Sequence, residues 1–306
     1  MVKLRNAYYC NLKLGLLFLV ILGHWIEPEI WSEPELYRLY RLIYLFHMPL
    51  FVFLSGLFIK DSRSCLRQLK RMVPIFLLCQ TAAVVLGQTS WHTPWWILWY
   101  LLSLCFWLGL SALLLHLERG RWVILCLSVV LACLAGAVPW IGRPFSLSRT
   151  IVFFPFFWLG VLLPPEIPWS KLRLLTLPAL LLMSPDISAV TLYHAAPCPP
   201  LLRLQCIGIA LALGLLVLSW CPHRRFPWTR AGADTLPAYL LHGPLVKLLR
   251  PIPHCIPATI LFLYLIHKAT QWRSIYGIIG KEDCPWPDLT TSTKPRENRS
   301  TGSSSP

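Results

Sequence analysis

Long, nearly uncharged apolar runs constrain the fold of this chain more than any other feature. Two of them, Trp122–Ile141 and Leu204–Trp220, meet or approach the roughly 20 residues that a helix needs to cross a bilayer. Charged residues make up only 13% of the chain, whereas a soluble domain carries about 25%. Because backbone polar groups in lipid must be paired within their own segment, the runs predict an all-α, polytopic transmembrane bundle.

The apolar runs predict about ten transmembrane helices. We expect them at residues 12–29, 39–59, 72–87, 95–116, 122–141, 148–164, 172–190, 204–220, 233–250 and 252–268. No small-residue cleavage site follows the first run, which favours a retained helix over a signal peptide. Residues 1–268 are therefore predicted to form one membrane domain. Residues 269–306 are predicted to form a cytoplasmic tail, and the part after residue 281 has the composition of a disordered segment.

The distribution of basic residues predicts the orientation of the bundle. The formal net charge is +15, a value that in a soluble protein would suggest nucleic-acid binding. Here, with the N-terminus placed in the cytoplasm, 21 of the 28 Lys and Arg residues fall on the cytoplasmic side of the predicted spans. That bias is what the positive-inside rule predicts, so both termini are expected in the cytoplasm and no nucleic-acid partner is expected.

Four ionisable residues lie inside predicted spans, where such groups are costly unless they line a cavity or find partners: His24, His47, Arg149 and His242. Histidine is the most frequent general base, although a lone helical histidine is more often a hydrogen-bonded core residue. Four carboxylates fall within the nine residues 27–35, which form either a solvated loop or a polar lip over an outward-facing site.

Two local patterns suggest how these residues are arranged. Lys13 and His24 are eleven residues apart, which corresponds to about 16 Å along one helix. Lys13 is then expected at the cytoplasmic headgroups and His24 deep in the outer half. In the second span, Pro49 removes a backbone donor, and Ser55-Gly56 permits close approach by another backbone or by a ligand.

Six motifs, in order along residues 5–265, resemble those of the membrane acyltransferase 3 family, especially its fucose 4-O-acetylase-like branch. They lie at Asn11–His24, Phe46–Gly56, Lys70–Pro74, Leu98–Leu104, Ser148–Gly160 and Gly232–His242. Cys10 stands where that branch usually has an acidic residue. The resemblance implies transfer of an acyl group, commonly acetyl, from cytoplasmic acyl-coenzyme A to a sugar hydroxyl of a cell-surface glycan or glycolipid. It also implies a bacterial cytoplasmic membrane.

The resemblance assigns roles to particular residues. His24 is expected to act as the general base, with His47 orienting the acceptor or sharing the proton. Lys13 and Arg71 are expected to contact the phosphates of coenzyme A, and Arg149 to bind the glycan or stabilise the oxyanion. The remaining expected substrate-site residues are Ser55, Trp99, Tyr239 and His242.

Two other classes of function remain open at this stage. A glycolipid or polysaccharide transporter would use the same polar cavity without chemistry, and a non-catalytic scaffold is the second alternative, which Cys10 favours. The 11 cysteines have no metal-ligand spacing, so neither a metal nor a disulfide framework is expected. The expected partners are the lipid bilayer, the acyl-coenzyme A donor and the sugar acceptor.

Overall fold

The computed structural model describes residues 7–138, 141–142, 144–176, 190–193 and 198–249. These residues form helices and contain no β-strand, which confirms the all-α prediction for this part of the chain. The α-helices are α1 (Ala7–Ile26), α2 (Pro34–Leu57), α3 (Ser62–Val85), α4 (Trp99–Leu114), α5 (Arg121–Leu134), α6 (Leu147–Leu162), α7 (Val190–Tyr193), α8 (Pro200–Trp220) and α9 (Leu236–Leu249). Short 3₁₀ helices include Trp96–Leu98 ahead of α4, Trp169–Thr176 after α6 and Thr229–Gly232 ahead of α9.

Six helices of the described residues are long and apolar enough to cross a membrane: α1, α2, α3, α4 with its preceding 3₁₀ turn, α6 with its preceding turn, and α8. The predicted spans at 122–141 and 233–250 correspond to the shorter helices α5 and α9, of 14 residues each. The span predicted at 252–268, most of the span at 172–190, both termini and the tail after 268 lie outside the described residues.

Helix α3 begins ten residues before the span predicted from hydropathy at residue 72. Its N-terminus is a capping box in which the Asp61 carboxylate accepts a hydrogen bond from the backbone N–H of Ser64 at 2.7 Å. That hydrogen bond holds the pKa of Asp61 below its ordinary value. The first turns of α3 are polar and basic, so an apolar window does not detect them.

Helices α2 and α6 cross at glycines, which brings their backbones into direct contact. A Cβ added to Gly56 of α2 would collide with the carbonyl oxygen of Phe157, and one added to Gly160 of α6 would collide with that of Phe53. The close approach predicted at Ser55-Gly56 is therefore made by another helix backbone. Small residues allow this contact because dispersion packing, and not hydrophobic expulsion from lipid, drives helix association in membranes.

Hydrogen bonds join the N-terminal half of α1 to the end of α8 and to the connection between α8 and α9. The Tyr8 hydroxyl donates to the carbonyl of Leu218 at 2.6 Å. The Asn11 amide donates to the carbonyls of Pro222 and Arg224, and its oxygen accepts from the Thr229 hydroxyl at 2.7 Å. Asn11, which opens the first matched motif, thus orders this connection and sets the position of the helix that carries His24.

Candidate active site

A cavity of about 840 Å³ opens at one end of the bundle. The end of α1, the first half of α2, the beginnings of α4 and α6, and residues of α7 and α9 surround it, together with the connections after α1 and α3. Five of the site residues predicted from the sequence line this cavity: His24, His47, Trp99, Arg149 and Tyr239. They come from α1, α2, α4, α6 and α9, so helices distant in sequence converge on one space.

His24 lies at the wall of the cavity beside a carboxylate and a phenol. Its Nδ1 is 3.3 Å from Oε2 of Glu27 and 3.2 Å from the hydroxyl of Tyr44. The ring also packs edge-on against Trp96, with centroids 4.3 Å apart. A carboxylate only accepts hydrogen bonds, so Nδ1 carries the proton when it bonds to Glu27, and Nε2 of the neutral ring keeps a lone pair. That arrangement suits a general base oriented by a carboxylate.

Two further histidines are held by backbone carbonyls. His47 is buried, and its Nδ1 donates to the carbonyl of Ile43 at 2.6 Å. His242 is also buried, its Nδ1 donates to the carbonyl of Tyr239, and its ring stacks on His24 with centroids 5.4 Å apart. In each neutral ring the lone pair therefore lies on Nε2. Nε2 of His242 has no hydrogen-bond partner among the described residues, and His242 itself does not line the cavity, so its predicted substrate contact stays a prediction.

Arg149 and Trp99 form a cationic and aromatic wall. The Arg149 guanidinium lies 5.0 Å from the ring centroid of Trp99, within the range of a cation–π contact. Nε of Arg149 donates to the carbonyl of Tyr193 at 3.1 Å. These two contacts hold the Arg149 side chain on the cavity lining.

Tyr239 and Ser55 both contact Tyr100 of α4. The Tyr239 hydroxyl donates to the carbonyl of Ile97, and its ring contacts Tyr100. The Ser55 hydroxyl is 2.6 Å from the hydroxyl of Tyr100 and also donates to the carbonyl of Phe51. Ser55 does not line the cavity. Its predicted substrate contact therefore stays a prediction, and its observed contacts hold α2 against α4.

Lys13 and Arg71 lie away from the cavity. Nζ of Lys13 is 3.3 Å from the carbonyl of Ala233, next to the turn that precedes α9. Arg71 is exposed on α3, and the main packing partner of α3 is α4. The structure does not bring the two predicted coenzyme A contacts to His24, and neither of them lines the cavity.

Several cavity residues were not assigned by the sequence, chiefly Glu27, Tyr44, Trp96 and Tyr193. For Glu27 a signal was available, because it follows His24 by three residues and so projects from the same side of the helix. Trp96 and Tyr193 carry no such signal, since they reach the cavity only through the packing of helices that are remote in sequence.

One wall of the cavity is the connection 86–95, and a buried glutamine holds it. Nε2 of Gln80 donates to the carbonyls of Ser90 and Thr93 at 2.9 Å each, and Oε1 accepts from the N–H of Trp95 at 3.0 Å. All three bonds connect α3 to the segment that supplies Trp95 and Trp96. Gln80 therefore fixes the tryptophan that packs against His24.

We expect Gln80→Leu to loosen this wall without disrupting the bundle. Loss of three buried hydrogen bonds should lower the free energy of unfolding by about 2 kcal/mol or more, because two carbonyls and an N–H are left without partners. Hydrogen exchange of the amides in residues 88–96 should accelerate. The control is Gln68→Leu on the same helix, for which exchange in this segment should not change; equal protection in both variants would contradict the role of Gln80.

In the part of the chain that the structure describes, no group of three or more His, Cys, Asp or Glu side chains is placed to hold a metal ion. The cavity offers a carboxylate-oriented histidine, a second histidine, an arginine and aromatic surfaces. These groups suit proton transfer and binding of a polar ligand with apolar faces.

Comparison with known proteins agrees with this chemistry. A family model described as an acyltransferase domain, that of the acyltransferase 3 family, matches residues 6–254. No curated protein and no solved structure matches the chain. The match covers all nine described α-helices and every residue discussed in the cavity. Together with the apolar helices, it shows that the chain is a membrane acyltransferase and belongs to the acyltransferase 3 family.

Proposed function

We propose that the protein is an O-acyltransferase, most simply an O-acetyltransferase, of the fucose 4-O-acetylase-like branch. It moves an acyl group from cytoplasmic acyl-coenzyme A to a sugar hydroxyl of a cell-surface glycan or glycolipid in a bacterial cytoplasmic membrane. The observation that carries the proposal is the His24–Glu27 pair in a cavity with aromatic walls.

The reaction follows from the orientation of His24. The acceptor hydroxyl attacks the carbonyl carbon of the thioester while Nε2 of His24 takes its proton. The new C–O bond forms, the C–S bond breaks, and the proton passes from the imidazolium to the departing thiolate. Glu27 stabilises the imidazolium that forms in between, as a carboxylate does for a histidine base. Arg149 offers a cation for the oxyanion or for the glycan, and His47 a second lone pair for the acceptor hydroxyl.

The distribution of charge supports a donor on the side opposite the cavity. The connections at the far end of the bundle carry Lys60, Arg119, Arg224 and Arg225, and the first turns of α3 carry further basic residues. By the positive-inside rule this end faces the cytoplasm. Lys13 lies toward that end, about 16 Å along α1 from His24. Lys13 and the exposed Arg71 then meet the phosphates of the donor, whose thioester arm extends toward the cavity.

The cavity lining supports a sugar as the acceptor. Trp95, Trp96, Trp99, Tyr40 and Tyr44 surround the space with flat aromatic faces, onto which the apolar faces of a sugar ring can pack. Backbone and side-chain polar groups between them can bind hydroxyls. A cavity of this type, apolar with a few convergent polar groups, is typical of small-molecule sites.

Transfer of radiolabelled acetyl from acetyl-coenzyme A by the purified protein tests the proposal. We expect label to appear in a glycan acceptor in an amount that follows the concentration of protein, with release of free coenzyme A thiol in a one-to-one ratio. A transporter with the same cavity would release no thiol. Absence of both thiol release and labelled product, with acceptors extracted from the native cell envelope, would contradict the proposal.

A further inference from the structure

We propose that the acceptor is an acidic sugar, one that carries a carboxylate or a phosphate group, and that Lys247 and Arg149 bind this anionic group. The inference rests on the proposed function, since it names the class of acceptor for the same cavity. Its grounds are the charges on the cavity lining, the partners that hold those charges, and hydrogen-bond donors that the protein leaves without acceptors.

The described lining residues carry more positive than negative charge. Arg149 from α6 and Lys247 from α9 are the cations, and Glu27 is the carboxylate. Glu27 is engaged with Nδ1 of His24 at 3.3 Å, so its charge is directed at the histidine. A cavity with apolar walls and an excess of one charge concentrates ligands of the opposite charge.

Lys247 is held in place by neutral groups alone. Its Nζ donates to Oε1 of Gln88 at 3.0 Å and lies 5.0 Å from the ring centroid of Trp95. Neither of the ion pairs recorded for the described residues includes it. The ammonium group is therefore fixed at the cavity wall by an amide and an aromatic face. Its charge remains available for an anion that enters.

Donors without acceptors lie beside both cations. The Ser148 hydroxyl is buried next to Arg149 on the cavity lining, and Nε1 of Trp95, the ring under Lys247, is buried on the same lining. Neither atom has a hydrogen-bond partner in the described structure. A buried donor without an acceptor destabilises the empty protein, and oxygens of a bound ligand would satisfy it. A carboxylate or phosphate supplies several acceptor oxygens in one group, which matches two cations and two donors better than a neutral hydroxyl does.

Binding to the purified protein in neutral-lipid nanodiscs tests the inference without an acyl donor. The probes are glucose, glucuronate and glucose 6-phosphate, and tryptophan fluorescence reports occupancy because four tryptophans line the cavity. We expect at least one anion to bind about tenfold more tightly than glucose, the size of one charge-assisted contact. That preference should decrease as the salt concentration is raised from about 0.01 M to about 1 M, because the Debye length shortens from about 30 Å to about 3 Å. The two anions distinguish carboxylate from phosphate recognition.

Variants of Lys247 test whether this residue is responsible for the preference for anions. Lys247→Gln should reduce the preference for the anion about tenfold and leave glucose binding unchanged, whereas Lys247→Arg should retain most of it. The matched control is Arg63→Gln, which removes a cation from the exposed face of α3 at the opposite end and should change neither value.

Three results would overturn the inference: glucose binding as tightly as both anions, no binding of either anion, or an unchanged preference in Lys247→Gln. Acyl transfer to neutral sugars without any preference for anions would also overturn it, and would leave the proposed function in place. Conversely, a preference for anions without acyl transfer would support the inference on the acceptor site while contradicting the proposed function.

Discussion

The variant His24→Asn should lose acyl transfer by a factor of about 10² to 10⁴, the contribution typical of a general base. Asparagine places an amide near the position of Nδ1, so the contact with Glu27 is kept while the lone pair of Nε2 is lost. The bundle should stay intact, because His24 lies at the cavity wall and not in a helix crossing. The measurement is release of coenzyme A thiol and label transfer, with thermal stability in detergent as the check on folding.

Two comparisons make this test specific. His116→Asn changes an exposed histidine at the opposite end of the bundle and should leave the rate unchanged. Glu27→Gln should lower the rate less than His24→Asn does, because the base remains but loses the charge that stabilises its imidazolium. Transfer at the normal rate in a folded His24→Asn protein would exclude His24 as the base.

The second large effect is expected from Gly160→Val, which should prevent α2 and α6 from packing. Its side chain would meet the carbonyl of Phe53 and the backbone nitrogen of Leu57, the latter 2.8 Å from the added Cβ. Backbone atoms cannot rotate away as the tip of a flexible side chain can, so the helices must separate. We expect a loss of at least about 3 kcal/mol of stability, at the upper end of overpacking effects. The measurement is the temperature of half-denaturation and the yield of folded protein after extraction.

Gly208→Val is the matched control for this change. Nothing lies within 4 Å of the position that its Cβ would occupy on α8, so the same substitution in another long apolar helix meets open space. It should extract and denature like the unmodified protein. If both valine variants behaved alike, the α2–α6 contact at Gly160 would not be essential to the bundle.

Local sequence patterns were sufficient to predict the class of protein and the positions of many of its helices. Apolar runs predicted an all-helical membrane protein, and the described residues are helical, with six helices apolar and long enough to cross a membrane. The start of α3 was missed because a capping box at Asp61, and not an apolar residue, begins that helix. A hydropathy window detects burial in lipid, whereas a cap satisfies backbone donors at a polar end.

The relation between His24 and Glu27 was within reach of the sequence, since both lie on one stretch of chain three residues apart. The same argument does not extend to Gln80, whose three partners lie in a connection with no recognisable motif. Nor does it extend to Lys247, which approaches Gln88 from 159 residues away in the chain. These contacts depend on how helices pack, and helix periodicity carries no information about the partner that a face will meet.

The sequence by itself determined that this chain is a membrane protein of helices, which family it resembles, and which polar residues in its spans needed an explanation. Only the tertiary structure decided that His24, His47, Arg149 and Tyr239 share one cavity with Lys247, that Ser55 turns to Tyr100, and that Lys13 and Arg71 lie apart from that cavity. The physical reason is the range of the interactions. Burial in lipid and hydrogen bonding along a helix act within a segment, whereas the contacts that build the cavity arise when glycine crossings and side-chain packing bring remote segments together.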